Sequence, residues 1–156
     1  MKNIIGFLIF LQILGISFTN AEAKGRAGKF GFGVSAQQPT MALMGRFFLA
    51  GGLAVDGRFG FESNDRDIRV IGGSLLKTLG GADRVYYYFG GKLDILNENK
   101  GGKNGDDTTI SLGGIFGAEY FVVSRFSFVG ESQFLMELGD SSMRTQTTLS
   151  VVFYLN

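Results

Sequence analysis

Residues 85–95, Val-Tyr-Tyr-Tyr-Phe-Gly-Gly-Lys-Leu-Asp-Ile, constrain the fold more than any other part of the chain. At a period of two, Val85, Tyr87, Phe89, Leu93 and Ile95 fall on one face, and Tyr86, Tyr88, Lys92 and Asp94 on the other. One face is apolar and the other carries charge. Three adjacent tyrosines and two adjacent glycines are poor helix formers, and Lys92 and Asp94 stand at a strand spacing. A run of about eleven residues is also the length with which a tilted strand crosses the hydrocarbon of a bilayer.

The same alternation recurs along the chain. Phe30, Phe32, Val34 and Ala36 alternate with Gly31, Gly33 and Ser35; then Leu43, Gly45, Phe47 and Leu49 stand against Arg46. A third run sets Leu53, Val55, Phe59 and Phe61 against Asp56, Arg58 and Glu62. A fourth, over 68–77, is mixed, because Ile71 and Leu75 share a face with Arg69 and Lys77. After the opening stretch, Ile110, Leu112, Phe116, Ala118 and Tyr120 oppose Ser111, Gly113, Gly117 and Glu119. Next, Phe126, Phe128, Phe134, Met136 and Leu138 oppose Ser127, Glu131, Gln133 and Glu137; Leu149, Val151, Phe153 and Leu155 then oppose Ser150 and Tyr154. Eight strands result. The connections also alternate: those after strands three, five and seven (62–67, 97–107, 139–145) are polar, whereas those after two, four and six (50–52, 79–83, 121–125) are compact. An even number of antiparallel strands with short turns at one end and polar loops at the other is the pattern of an outer-membrane barrel.

At the N-terminus, Lys2 precedes an apolar run over 4–16 and the small-x-small triplet Ala21-Glu22-Ala23. This is the form of a secretory signal peptide, too short in its apolar part to span as a helix, and it predicts a cleavable helix over 1–23 followed by one domain over 24–156. There are 25 glycines, one proline and 16 phenylalanines. That balance fits a curved, closely packed sheet and opposes disorder. A formal net charge of +1, with basic residues scattered, supplies no basis for nucleic-acid binding. The chain has no cysteine, so closure of the backbone ladder rather than a disulfide must hold the fold.

These features together resemble the small eight-stranded outer-membrane β-barrels of the OmpA-like type. The resemblance spans 29–156 and rests on the signal segment, the hairpin rhythm, the aromatic-glycine strands such as Tyr88-Phe89-Gly90-Gly91, and the run Gly117-Ala118-Glu119-Tyr120-Phe121. It implies an all-β, antiparallel, up-and-down transmembrane barrel in the outer membrane, a monomer with a structural or surface-interaction role. Its implied partners are outer-membrane lipid and lipopolysaccharide and the barrel assembly machinery. The chain departs from the type at its end, Phe153-Tyr154-Leu155-Asn156, where such barrels carry a terminal aromatic residue. Periodicity does not distinguish inside from outside. A soluble lipocalin-like barrel binding a small apolar ligand therefore stays open, as does a narrow pore.

Histidine is absent as well as cysteine, which removes Ser-His-Asp and Cys-His nucleophiles and the usual zinc and copper ligands. The barrel enzymes that act on lipid A or phospholipid rely on a histidine, so no enzymatic activity, cofactor or metal is expected. Asn104, Asp106 and Asp107 offer oxygens but lack the ligand spacing of a calcium loop. Arg46, Asp56, Arg58, Lys92, Asp94, Glu119, Glu131 and Glu137 are expected as interior ion pairs, since buried charges must be paired and an eight-stranded interior is filled by side chains. A glycosidase-like carboxylate pair drawn from Glu119, Glu131 and Glu137 is the weaker reading.

Overall fold

The computed structural model describes residues 26–37, 40–63, 67–99, 106–139 and 142–155. The expected leader over 1–23 and residues 100–105 of the expected long loop, Asn104 among them, lie outside these. The described chain forms β1 (Phe30–Gln37), β2 (Thr40–Phe48), β3 (Leu53–Ser63), β4 (Asp67–Ala82), β5 (Val85–Asn99), β6 (Asp106–Val123), β7 (Phe126–Leu138) and β8 (Met143–Leu155). Each strand pairs antiparallel with its neighbours in sequence, and β1 pairs with β8 from Phe30↔Leu155 to Gln37↔Thr148, so the barrel closes. Closure leaves no sheet edge.

The alternating sequence is resolved into two surfaces. Phe32, Phe59, Phe116, Phe128, Phe134 and Phe153 point outward and are about half exposed, as are Leu43, Leu93 and Leu112. Arg46, Asp56, Arg58, Lys92, Asp94, Glu119 and Glu131 point inward and are buried. This is opposite to a lipocalin-type barrel, whose inner face is apolar. The barrel is apolar outside and charged inside.

Several strands run further than their apolar alternation suggests. β5 continues through Asn97 and Asn99, β6 begins at Asp106, β4 reaches Ala82 and β8 begins at Met143. The reason is that backbone pairing is indifferent to side-chain polarity, so the ladder continues past the apolar belt into polar residues. The expected turn over 79–83 is instead a ladder with an irregularity between Thr78 and Gly80, closed by Asp83 and Arg84. Asp83 adopts φ 51, a left-handed conformation that aspartate tolerates better than most residues. Likewise β6 runs through Val123, with a register shift between Phe121 and Val123, and only Ser124 and Arg125 form the turn.

On β4 the mixed face is the outer one: Ile71 and Leu75 are exposed, and Val70, Ser74 and Leu76 point inward. Arg69 and Lys77 bracket the apolar residues, about 26 Å of strand apart at about 3.3 Å per residue. Lys77 Nζ donates to Gly51 O at the turn end, 2.6 Å away. The two cations therefore lie near opposite ends of the apolar belt.

Candidate functional site: the charged lumen

Cross-strand register builds the centre of the lumen. Arg46 on β2 stands opposite Asp56 on β3, and its guanidinium donates to both carboxylate oxygens at 2.8 Å, from Nε to Oδ1 and from Nη2 to Oδ2. This bidentate fork fixes one side of the cation. Its remaining donors cross the barrel to Glu119 on β6 and Glu131 on β7, both at 3.3 Å. Tyr88 on β5 accepts from Arg46 Nη2 at 3.3 Å and donates to Glu131 Oε1 at 2.7 Å. Arg58, two residues along β3 from Asp56, bonds Glu131 Oε2 and reaches Asp56 Oδ2 at 3.4 Å. Five strands, β2, β3, β5, β6 and β7, are thus tied through one guanidinium.

A second set lies further along β5 toward the loop end. Lys92 Nζ is 2.9 Å from Asp94 Oδ2 and donates to Gln133 Oε1 at 2.6 Å. Gln133 in turn donates to Thr148 Oγ1 at 2.9 Å and to Glu131 Oε2 at 3.4 Å, which joins this set to the first. Glu119 also accepts from Ser127 Oγ at 2.6 Å and from the Tyr154 hydroxyl. Each of these carboxylates faces a cation.

Of the eight charged residues singled out in the sequence, seven are brought together in this way. Glu137 is apart from them: it is partly exposed near the loop end, 3.9 Å from Arg144 Nη1, and accepts from Ser142 Oγ at 2.9 Å. Tyr88, Tyr154, Gln133, Ser127 and Thr148 complete the network, although charge pattern alone does not single them out. The available signal was parity, since each alternates with an outward apolar residue on its own strand. Arg26 had no such signal, because it precedes the first strand. Its guanidinium nevertheless lies 3.8 Å from Glu119 Oε2.

Room for these side chains comes from inward-facing glycines. A Cβ on Gly117 would stand 2.6 Å from the Tyr88 ring, and one on Gly31 would stand 2.5 Å from the Tyr154 ring. Each ring lies over a bare backbone, so the lumen holds large polar side chains without widening the barrel. Among the described residues no group of three or more histidine, cysteine or acidic side chains is arranged to hold a metal ion.

The N-terminal β-barrel domain of Pseudomonas aeruginosa OprF superposes with a TM-score of 0.64 at 12% identity, over 81% of this chain and 96% of that one. The fold is that of the small outer-membrane barrels. Neisserial surface protein A matches with a TM-score of 0.56 at 14% identity, over 80% of this chain and 92% of its own. A de novo designed transmembrane β-barrel matches at 0.50 and 13%, over 83% and 97%. No family model matches the sequence, and no curated protein does. At these identities the likeness concerns the backbone.

Proposed function

We propose that this protein is a non-enzymatic barrel that spans the bacterial outer membrane and serves a structural or surface-interaction role. The observation that carries this reading is the inversion of the two faces. A water-soluble barrel would not leave a belt of phenylalanine and leucine exposed around its whole circumference while burying seven charged side chains. In hydrocarbon the same arrangement is favourable, because every strand is paired and every outward residue of the belt meets acyl chains. Outer-membrane lipid and lipopolysaccharide are its surroundings, and the barrel assembly machinery inserts it after export and cleavage following Ala23.

The lumen supports a closed structural core better than a reaction site. Glu119 and Glu131 face Arg46, Tyr154, Ser127, Arg58 and Tyr88, so neither carboxylate is free to protonate a substrate or activate water. The polar loop ends are the parts left for contact with the cell's surroundings.

Expression in a Gram-negative host followed by separation of inner and outer membranes tests the reading. The folded protein is expected in the outer-membrane fraction, with a gel mobility that changes on boiling. Recovery as a folded protein in the soluble fraction would refute it.

A further inference from the structure

Among the described residues, the buried charged side chains of the strands are three cations, Arg46, Arg58 and Lys92, and four carboxylates, Asp56, Asp94, Glu119 and Glu131. An unmatched charge in so enclosed a space is unfavourable. The missing cation comes from outside the strands. Arg26 reaches Glu119 Oε2 at 3.8 Å with its side chain only 15% exposed.

The surroundings of Arg26 are built for a planar cation. Its guanidinium carbon lies 3.4 Å from the centroid of the Tyr86 ring, 4.2 Å from that of Phe121 and 5.5 Å from that of Phe48. Tyr86 and Phe121 meet edge to face, their planes 87° apart, so two ring faces border the cation at right angles. Phe121 stacks on Tyr154 with centroids 5.4 Å apart, and Tyr154 packs on Phe48 at 5.7 Å. The faces of aromatic rings attract cations, and a guanidinium also stacks on them. The Tyr154 hydroxyl bonds the same carboxylate that Arg26 approaches, which ties the ring wall to its acidic floor.

The backbone before β1 delivers this side chain. Lys29 N donates to Arg26 O at 3.0 Å, Gly28 N to Phe48 O at 2.8 Å, and Phe48 N to Lys29 O at 3.0 Å. Gly28 sits at φ 84, a conformation few other residues adopt readily, and this turns the chain back over the mouth. With Arg26 in place, an open recess of about 540 Å³ remains at the turn end of the barrel, bordered by Arg26, Lys29, Asp83, Arg84 and the four rings.

We propose that the turn-end mouth is a guanidinium-binding site, walled by Tyr86, Phe121, Phe48 and Tyr154 and floored by Glu119, which the chain fills with its own Arg26. The segment before β1 then supplies the cation that matches the fourth buried carboxylate. A free guanidinium should occupy the site once Arg26 is removed.

Solution NMR of the full protein in detergent micelles tests this in two arms. In the wild type, the Arg26 side-chain protons should be displaced upfield by the Tyr86 and Phe121 rings; random-coil shifts for Arg26 would overturn the proposal, and this arm needs no variant. In Arg26→Ala, added ethylguanidinium should shift the amides of Tyr86, Phe121 and Glu119 saturably, with a dissociation constant at least tenfold below that of neutral ethylurea. The wild type, its cage occupied, should show no saturable shift. Equal responses to the two probes, or a saturable response in the wild type, would overturn it.

Discussion

Arg46 holds Asp56 by two bonds and reaches Glu119 and Glu131 with the same guanidinium. Arg46→Ala leaves three buried carboxylates short of a partner and should cost about 3 to 5 kcal/mol, the usual penalty for breaking a buried pair from one side. Arg46→Lys keeps the charge but loses the fork, so its destabilisation should be smaller yet measurable. Urea unfolding of the barrel in lipid vesicles reads both; an Arg46→Ala variant as stable as the wild type would contradict the role assigned to the network. Most of this network was legible in the sequence because Arg46, Asp56, Arg58, Lys92, Asp94, Glu119 and Glu131 share the parity of the non-apolar face on their strands. Parity does not reveal depth. Glu137 has the same parity on β7 as Glu131 but stands near the loop end of the strand, where it is partly exposed beside Arg144. Arg26 belongs to no strand, and its relation to Glu119 exists only once the barrel has closed.

Along a strand, glycines on opposite faces have opposite roles. Gly117→Val on β6 drives a side chain into the Tyr88 ring and should cost about 1 to 3 kcal/mol through overpacking. Gly57→Val on β3 points outward, with no atom within 4 Å of the added Cβ, and should change stability by less than about 0.5 kcal/mol. Equal losses for the two variants would contradict the assigned faces. The sequence stated that glycine was abundant in the strands, but which glycines must stay bare depends on which ring lies across the lumen. Element ends were similarly hard to read. Hydrophobic alternation stops where the apolar belt stops, whereas hydrogen bonding carries β5 to Asn99 and β6 back to Asp106. The mixed face of β4 was legible as a pattern, and only the closed barrel shows that it is the outer face, with Arg69 and Lys77 near opposite ends of the apolar belt.

For the whole molecule, the count of strands, their antiparallel order and the polarity of alternate connections were readable because each strand pairs with its sequence neighbour. The period alone does not distinguish inside from outside, since a lipocalin-like barrel shares it; the resemblance to outer-membrane barrels implied the charged face inside, and the structure has it there. A lumen crossed by Arg46, Tyr88, Glu119 and Glu131, with Arg26 over its turn end, should carry no steady current. Single-channel recording in planar bilayers checks this; stable conductance steps from purified protein would contradict a closed lumen. The polar connection between β5 and β6 joins two long strands on the end opposite the compact turns, and an epitope inserted near Gly102 should be detected on intact cells. Detection only after lysis would reverse the orientation.

Lipid-attached quenchers read whether the phenylalanine-rich face meets acyl chains. Because the chain has no cysteine, Phe116→Cys on the outer face of β6 and Ser124→Cys in the exposed turn between β6 and β7 can each carry one fluorophore. After reconstitution into vesicles containing chain-brominated phospholipid, emission from position 116 should fall strongly and emission from position 124 should change little. Absence of quenching at 116, or stronger quenching at 124 than at 116, would contradict a lipid-facing phenylalanine belt.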